Sequence, residues 1–260
     1  MSAAYPLDPN AILEVREIEK SFGGIRAVDR CSLVVAPRSV TGLIGPNGAG
    51  KSTLFNIISG LYRPDGGEIW FGGVRIDGLP PYGIVRLGLA KTWQIPHELK
   101  KLTVLENLVL AAKDHRGESL VNLFFNPSGI RKDERRLREQ ARSILALTQL
   151  SNLAHEEASS LSGGQKKLLE LARVLMTEPA LVLLDEPVAG VNPTLAASLM
   201  DLIEQLRQGG TTFFLIEHDM NVVMKRCDTV IVMHQGRKIA EGPPDAVRKD
   251  PVVIDSYLGG

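Results

Sequence analysis

The fold of this chain is decided by one short stretch, Gly45-Pro-Asn-Gly-Ala-Gly50-Lys51-Ser52. It matches the pattern G-x-x-x-x-G-K-[S/T] and lies between an apolar, strand-like segment and a helical pattern at residues 53–59. Glycines in such a loop let successive backbone N–H groups turn inward around phosphate oxygens, and the following helix adds its dipole. The stretch therefore predicts a phosphate-binding loop in which Lys51 reaches the β- and γ-phosphates and the Ser52 hydroxyl ligates Mg²⁺.

Length and composition limit the classes of protein to which the chain can belong. Its 260 residues suffice to bury a substantial core, and 30 basic residues balance 30 acidic ones. This balance argues against a general nucleic-acid binder, which needs surplus Lys and Arg to neutralise phosphates. Cys31 and Cys227 do not form a C-x-x-C pattern, which argues against a disulfide scaffold or a zinc knuckle and favours a reducing compartment. We expect no secretory signal, because the N-terminus has no basic segment followed by an apolar core. We also expect no membrane span, because the apolar runs are far shorter than about 20 residues.

Hydrophobic periodicity divides the chain into three regions. Up to about residue 90 the pattern predicts short strands and one helix at about 51–59. From Gln94 to about residue 158 it is helical and charged, and it includes a capping-box pattern at Thr103 and Glu106. Beyond Leu161 it predicts buried parallel strands alternating with helices and then a terminal hairpin. The chain is therefore expected to be an α/β protein.

A second glycine-containing stretch, Leu161-Ser162-Gly163-Gly164-Gln165, also precedes a helical pattern. The Ser162 hydroxyl and the glycine N–H groups would form another anion-binding cup at a helix start. Taken alone, the stretch also fits an ordinary helix N-cap, in which Ser162 serves only the backbone. Both interpretations stay open on this stretch alone.

Two carboxylates follow a buried apolar run in Leu181-Val-Leu-Leu-Asp185-Glu186-Pro187. In open α/β sheets, ligands bind at the carboxyl ends of the strands. Asp185 is therefore predicted to ligate Mg²⁺, and Glu186 to polarise a water for in-line attack on the γ-phosphate. The alternative is an acidic pair that only caps the loop.

The order of these three motifs resembles the ATP-binding cassette (ABC) ATPase family, and the resemblance covers the chain from about residue 12 to the C-terminus. It implies an α/β P-loop NTPase fold, with a RecA-like core, an antiparallel β subdomain and a helical signature subdomain. It also implies a single ABC ATPase domain over residues 1–260. The core and the β subdomain would occupy about 1–94 and 160–260, and the helical subdomain about 95–160.

The resemblance also assigns roles to individual residues. Phe22 matches the aromatic residue that stacks on adenine, Gln94 the Q-loop glutamine, and His218 the switch histidine that touches the γ-phosphate. Asn192 departs from the family pattern, which usually has Asp in this loop. The ATP-binding residues implied are Phe22, Val28, Asn47, Gly48, Gly50, Lys51, Ser52 and Thr53. The catalytic residues implied are Glu186, His218 and Gln94, and the metal ligands are Ser52, Gln94 and Asp185. The signature residues implied to act in trans are Ser162, Gly163, Gly164 and Gln165.

In the family that the chain resembles, the active site is shared between two cassettes. The two pair head to tail with two ATP molecules at the interface, and the signature of one covers the γ-phosphate bound by the other. The resemblance therefore implies a second ABC ATPase subunit as a partner, either an identical chain or a sister chain. In this family ATP binding closes the dimer and hydrolysis opens it. The resemblance therefore also implies that the helical segment at about 95–160 carries this motion to a further partner.

Weaker matches narrow the resemblance further. Ile216-Glu-His-Asp-Met, Phe124-Phe-Asn-Pro and Val253-Ile-Asp-Ser-Tyr-Leu-Gly are similar to ATPase subunits of branched-chain amino-acid uptake systems. This similarity implies ATP hydrolysis that powers import, membrane permeases as partners, an indirect periplasmic binding protein, and no nucleic acid. It places the chain peripherally on the cytoplasmic face of the inner membrane.

Two alternatives remain at this stage. A soluble iron–sulfur assembly ATPase belongs to a different functional class, and an ATPase of lipopolysaccharide export is similar in sequence. The DNA-repair and chromosome ABC ATPases are excluded, because Lys51 and Leu161 are only 110 positions apart and leave no room for their long coiled coil.

Overall fold

The computed structural model describes residues 8–93, 98–113 and 127–258, which form two compact units. The first unit takes its described residues from Met1–Lys91, Ala180–Ala189 and Ile203–Gly260. The second takes them from Thr92–Pro179 and Gly190–Leu202. No helix in the described parts of the chain combines the length and the apolar character that crossing a bilayer requires.

Strands and helices are numbered here in chain order. The described strands are β1 (Leu13–Phe22), β2 (Ile25–Val35), β3 (Val40–Ile44), β4 (Gly66–Phe71), β5 (Val74–Arg75), β6 (Leu89–Lys91), β7 (Leu181–Asp185), β8 (Thr212–Ile216), β9 (Thr229–His234) and β10 (Arg237–Gly242). The described α-helices are α1 (Lys51–Ile58), α2 (Pro81–Leu87), α3 (Val104–Ala111), α4 (Pro127–Leu147), α5 (Gly163–Leu175), α6 (Pro193–Gln208), α7 (Met220–Arg226), α8 (Pro244–Arg248) and α9 (Pro251–Leu258).

The first unit contains two sheets. The larger has six strands in the order β10-β9-β3-β8-β7-β6, in which only β10 is antiparallel to its neighbour. Every residue of β3, β7 and β8 is buried, as expected for parallel strands that are covered on both faces. The smaller sheet is antiparallel, with the order β2-β1-β4-β5. The α/β fold expected from the sequence is confirmed.

Helix α1 connects the two sheets through one hydrophobic core. Phe55 of α1 packs on Phe214 of β8 with ring centroids 4.8 Å apart. Ile18 of β1 and Ile69 of β4 belong to the same buried cluster. The core therefore fixes α1, and with it the loop that precedes this helix, against the carboxyl end of the parallel sheet.

The second unit is helical, and it runs past residue 160, where the sequence placed the end of the helical segment. Helix α3 begins with the predicted capping box, in which Thr103 accepts from the N–H of Glu106 and Glu106 accepts from the N–H of Thr103. Helix α5 packs against both α3 and α4. Its buried face, which includes Leu168 and Leu171, explains why it belongs to this unit.

The expectation of a single helix before residue 90 is wrong, because α2 also lies there. Pro81 occupies the first position of α2, and Gly88 ends it in the left-handed conformation. Ile84 is its one buried residue, so the helix has no apolar stripe that periodicity could detect. The short helices α7 and α8, of seven and five residues, escaped prediction for the same reason.

Candidate active site

The candidate site lies where three neighbouring strands of the six-stranded sheet end. Strand β3 leads into the glycine-rich loop, β7 ends at Asp185, and β8 ends two residues before His218. Because β8 lies between β3 and β7 and all three are parallel, their carboxyl ends share one edge of the sheet. Ligands bind at this edge in open α/β proteins.

The Lys51 side chain folds back over the glycine-rich loop. Its Nζ donates hydrogen bonds to the carbonyl oxygens of Gly45, at 2.8 Å, and Pro46, at 3.0 Å. Burial lowers the pKa of this ammonium group, while the nearby carboxylates of Glu186 and Asp185 oppose the shift. The loop therefore holds a desolvated positive charge within electrostatic reach of both acidic groups.

Gly50 joins the loop to the β1–β2 hairpin. Its φ of +98° lies in the left-handed region, and a Cβ at this position would come within 2.3 Å of the carbonyl oxygen of Ala27. Only glycine satisfies both conditions. The contact holds strand β2 directly against the start of α1.

Phe22 stands near the tip of the same hairpin and is 43% exposed. Its ring makes an edge contact with Tyr62, with centroids 5.4 Å apart, and the ammonium of Lys20 lies 5.5 Å from the ring centroid. Asp65 pairs with Lys20 at 2.7 Å and accepts a hydrogen bond from the N–H of Ser21. The hairpin thus presents an anchored and partly exposed aromatic ring, and the adenine-stacking role of Phe22 stays a prediction.

Asp185 is 6% exposed at the end of β7 and lies beside a second buried lysine. Nζ of Lys91 is 3.8 Å from Oδ2 of Asp185 and also donates a hydrogen bond to Oδ1 of Asn56 on α1. Burial raises the pKa of the Asp185 carboxyl, and Lys91 is the strongest of the charges that oppose this effect. Lys91 therefore helps the carboxylate to remain ionised in a buried position.

Glu186 and His218 form a direct contact. Oε1 of Glu186 lies 3.1 Å from Nε2 of His218. The backbone of Glu186 has φ +52°, which is rare for a residue with a side chain, and its N–H donates to the carbonyl of Ile216 at 3.0 Å. The structure thus brings these two predicted residues together, with a strained backbone of the kind that clusters at functional sites.

Glu217 precedes His218 and is 3% exposed. One of its carboxylate oxygens accepts a hydrogen bond from the N–H of Val188, at 3.0 Å, and the other accepts from the N–H of His218, at 3.2 Å. The loop after β7 and the loop after β8 are therefore connected by one buried carboxylate.

The remaining residues of the predicted ATP-binding set differ in how far they are exposed to solvent. Asn47, Gly48 and Ser52 are exposed, and Thr53 is half-buried. Val28 is fully buried in the core of the first unit, so it presents no surface for contact with a ligand. Strand β2 turns this side chain inward, and the ATP-binding role of Val28 stays a prediction.

The signature stretch lies in the second unit and begins helix α5. Oγ of Ser162 accepts from the N–H of Gln165, and the Gln165 side chain accepts from the N–H of Ser162. These bonds form a capping box, so the N-cap interpretation describes what both side chains do within this chain. Gly164 packs so tightly that a Cβ would lie 2.1 Å from Cδ2 of Leu195, whereas Gly163 faces open space.

Asn192 caps helix α6. Its side-chain oxygen accepts from the N–H of Leu195 at 2.9 Å, and Pro193 occupies the first position of α6. Gln94 and the Phe124-Phe-Asn-Pro segment lie outside the described residues, apart from Pro127.

The donor groups at the site fit Mg²⁺. Ser52 offers a hydroxyl and Asp185 a carboxylate, the hard oxygen ligands that Mg²⁺ takes in small number beside phosphates. In residues 8–93, 98–113 and 127–258, no group of three or more His, Cys, Asp or Glu side chains is arranged to hold a metal. The site therefore fits a cation shared with a phosphate ligand, and it does not fit an all-protein metal cage.

Sequence reasoning missed Lys91 and Glu217. Lys91 ends a strand of three residues, too short to give a clear periodic signal. Glu217 was only part of a motif centred on His218. The available signal was its position, since a carboxylate directly after the apolar run at the end of β8 is buried unless the chain turns at once.

Comparison with known proteins places these motifs in a family. The model described as "ABC transporter" matches residues 28–189, and the model described as "Branched-chain amino acid ATP-binding cassette transporter" matches residues 237–260. A probable branched-chain amino acid transport ATP-binding protein LivG of Archaeoglobus fulgidus is 43% identical over 249 residues, covering 95% of each chain. The high-affinity branched-chain amino acid transport ATP-binding protein BraF of Pseudomonas aeruginosa is 41% identical, covering 95% of this chain and 98% of the relative.

A solved structure agrees with these sequence matches. An ATP-binding cassette of an ABC transporter in its ADP conformation superposes with a TM-score of 0.82 at 39% identity, covering 96% of this chain and 99% of the other. The glycine-rich loop, the signature stretch and the Asp185–Glu186 pair all lie within the residues that the ABC transporter model matches. The chain belongs to the ABC transporter family.

Proposed function

We propose that the chain binds ATP with Mg²⁺ and hydrolyses it as the energy-supplying subunit of a transporter that imports branched-chain or other hydrophobic amino acids. The observation that carries the ATPase proposal is the shared sheet edge, where Lys51, Asp185 and the Glu186–His218 pair come together. The comparisons support the transport assignment, since the relatives at 43% and 41% identity are named as branched-chain amino acid transport ATP-binding proteins.

Binding begins with the phosphates of ATP. Lys51 donates to two loop carbonyls, and the γ- and β-phosphates would replace these neutral acceptors with charged ones. Backbone N–H groups at the start of α1 add further donors. Phe22 offers its exposed face to the adenine ring, which gains about 1–3 kcal/mol from such stacking.

Hydrolysis then requires a water placed in line with the γ-phosphate. Its oxygen attacks phosphorus, the bond from phosphorus to the β–γ bridging oxygen breaks, and Glu186 takes the proton. His218 contacts the Glu186 carboxylate through Nε2 and would turn its Nε2–H toward the γ-phosphate oxygens. Mg²⁺, held by Ser52 and Asp185 with Gln94 as a further candidate, would neutralise the charge on the phosphates when bound.

We infer that the site is completed by a second cassette in a head-to-tail dimer. The signature is suited to this role because Ser162 is exposed and Gly163 faces open space. The rate of phosphate release should rise more steeply than linearly with protein concentration, because the active species contains two chains. Ser162→Arg should abolish turnover and leave nucleotide binding intact, and loss of binding by the isolated variant would contradict the assignment in trans.

As a transport subunit, the chain would sit peripherally on the cytoplasmic face of the inner membrane. Its partners would be integral-membrane permeases and, through them, a periplasmic substrate-binding protein. The test is copurification of the tagged chain from detergent-solubilised membranes of its source cells. Stoichiometric polytopic proteins would support transport, and soluble partners alone would overturn it in favour of an assembly ATPase.

A further inference from the structure

We propose that Glu217 is a positioning residue that connects the loop after Glu186 to the loop carrying His218 and so fixes the contact between these two side chains. The proposal rests on the proposed ATPase function. It assigns to Glu217 no contact with the nucleotide or with the reacting water.

Burial of the Glu217 carboxylate costs free energy. A carboxylate that is 3% exposed loses nearly all of its hydration, and such a group is stable only when hydrogen bonds replace the lost water. Its two oxygens accept separately from two backbone N–H groups, those of Val188 and His218. These donors are 30 residues apart in sequence. The side chain therefore joins the loop that follows β7 to the loop that follows β8.

The two N–H donors lie close in sequence to the predicted catalytic side chains. Val188 lies two residues after Glu186, in a tight turn closed by a hydrogen bond from the N–H of Ala189 to the Glu186 carbonyl at 3.2 Å. On the other side of His218, Asp219 accepts from the N–H of Asn221 at 2.8 Å and begins helix α7. Each backbone that carries a predicted catalytic group is therefore held close to that group. Glu217 adds a side-chain link to the backbone bond from the N–H of Glu186 to the carbonyl of Ile216.

Accepting both hydrogen bonds requires a carboxylate at position 217. The side chain accepts two N–H groups with two oxygens, while a glutamine has only one oxygen and would direct its NH₂ group at one of the two N–H donors. Glu217→Gln therefore keeps the shape and loses at least one bond between the loops. Glu217→Asp keeps the charge and loses the reach of one methylene.

The first experiment is hydrogen exchange of the Val188 amide in the nucleotide-free chain. In Glu217→Gln we expect this amide to exchange at least tenfold faster, while the β7 amides stay protected. Unchanged exchange would overturn the proposal, whether or not the chain hydrolyses ATP. Failure of the wild-type chain to hydrolyse ATP would instead remove the proposed function and leave the exchange result standing.

The second experiment measures kcat and ATP affinity. Glu217→Gln should lower kcat about tenfold and leave the Kd for ATP within twofold, since loss of one buried hydrogen bond at the loops leaves Lys51 untouched. Glu204→Gln, which removes a half-buried carboxylate paired with Arg207 on α6, is the matched control for the lost charge, and we expect wild-type activity from it. A fall in affinity equal to the fall in kcat would contradict the proposal.

A double-mutant cycle separates positioning from a general structural role. When His218→Ala has already removed the Glu186–His218 contact, Glu217→Gln should lower kcat by no more than threefold. A full tenfold loss in that background would overturn the proposal. Should Glu217→Gln fail to fold, the same cycle with Glu217→Asp gives the test, with the same expected direction.

Discussion

The carboxylate of Glu186 and the imidazole of His218 lie in hydrogen-bond contact, with Oε1 3.1 Å from Nε2. The contact requires a proton on Nε2, so His218 acts as the donor. It holds the carboxylate at the carboxyl edge of the sheet, within electrostatic reach of Lys51. Because the two residues follow different strands, their contact depends on the pairing of β7 with β8 and on the loops after them.

Lys51→Met tests the phosphate-binding role of the lysine. We expect the Kd for N-methylanthraniloyl-ATP to rise at least tenfold, about 1.4 kcal/mol, because the charge-assisted bonds to the phosphates are lost. The Tm should change by only a few degrees, since in the nucleotide-free chain the variant loses two bonds to loop carbonyls together with a desolvated charge. Lys238→Met, which removes a surface lysine paired with Glu241, is the matched control. Unchanged affinity in Lys51→Met would contradict the assignment.

Alanine substitutions at Gly163 and Gly164 distinguish a role in packing from a role in ATP hydrolysis. A Cβ at Gly163 meets nothing, so Gly163→Ala should fold with an unchanged or slightly higher Tm and still lower the ATPase rate at least tenfold by crowding the partner's nucleotide. Gly164→Ala must displace Leu195, and we expect a Tm about 2–4 °C lower for each kcal/mol lost. Thermal melting and phosphate release are measured for both variants. Wild-type turnover in Gly163→Ala would argue against a nucleotide at that surface.

The two thiols report on the integrity of the first unit. Burial raises the pKa of Cys31 to about 11 and that of Cys227 to about 12. Because the thiolate is the reactive form, a disulfide reagent at pH 8 should leave both unmodified in the folded chain and modify both in urea. A rapidly reacting thiol in the native chain would contradict the burial described here.

The same shifts give a stability change with a defined sign. The folded chain keeps the Cys31 proton to a higher pH than an unfolded chain, whose thiol titrates near 9.0. The protonated Cys31 thiol therefore makes its full contribution to the free energy of unfolding below pH 9. This contribution is lost as the pH rises toward about 11. Urea unfolding of the wild-type chain and of Cys31→Ala between pH 8 and 11 measures it, and equal slopes for the two would contradict it.

The sequence predicted most of what local pattern controls. The glycine-rich loop, the buried strands β7 and β8, the capping box at Thr103 and the terminal hairpin each have a signal within a few residues. Helix α2 has one buried residue and helix α7 has seven residues in all, and neither length nor periodicity could reveal them. Burial of Val28 also depends on which face of β2 turns inward, which the pairing of whole strands determines.

Contacts between distant segments were beyond prediction for a different reason. The approach of Gly50 to Ala27 and of Lys91 to Asp185 arises only when the sheets are assembled. Glu217 illustrates the limit most clearly, because its partner Val188 lies 29 positions away and offers only a backbone N–H, which carries no residue-type signal.

Phosphate release by Glu186→Gln, measured alongside its Kd for ATP, tests most directly whether Glu186 activates the water that attacks ATP. The amide keeps the shape and the acceptor oxygen that faces His218, but it cannot take the proton. We predict that ATP binding stays within about twofold and that phosphate release falls at least about a hundredfold, the usual range for loss of a general base. Phosphate release near the wild-type rate, with ATP bound, would contradict the account.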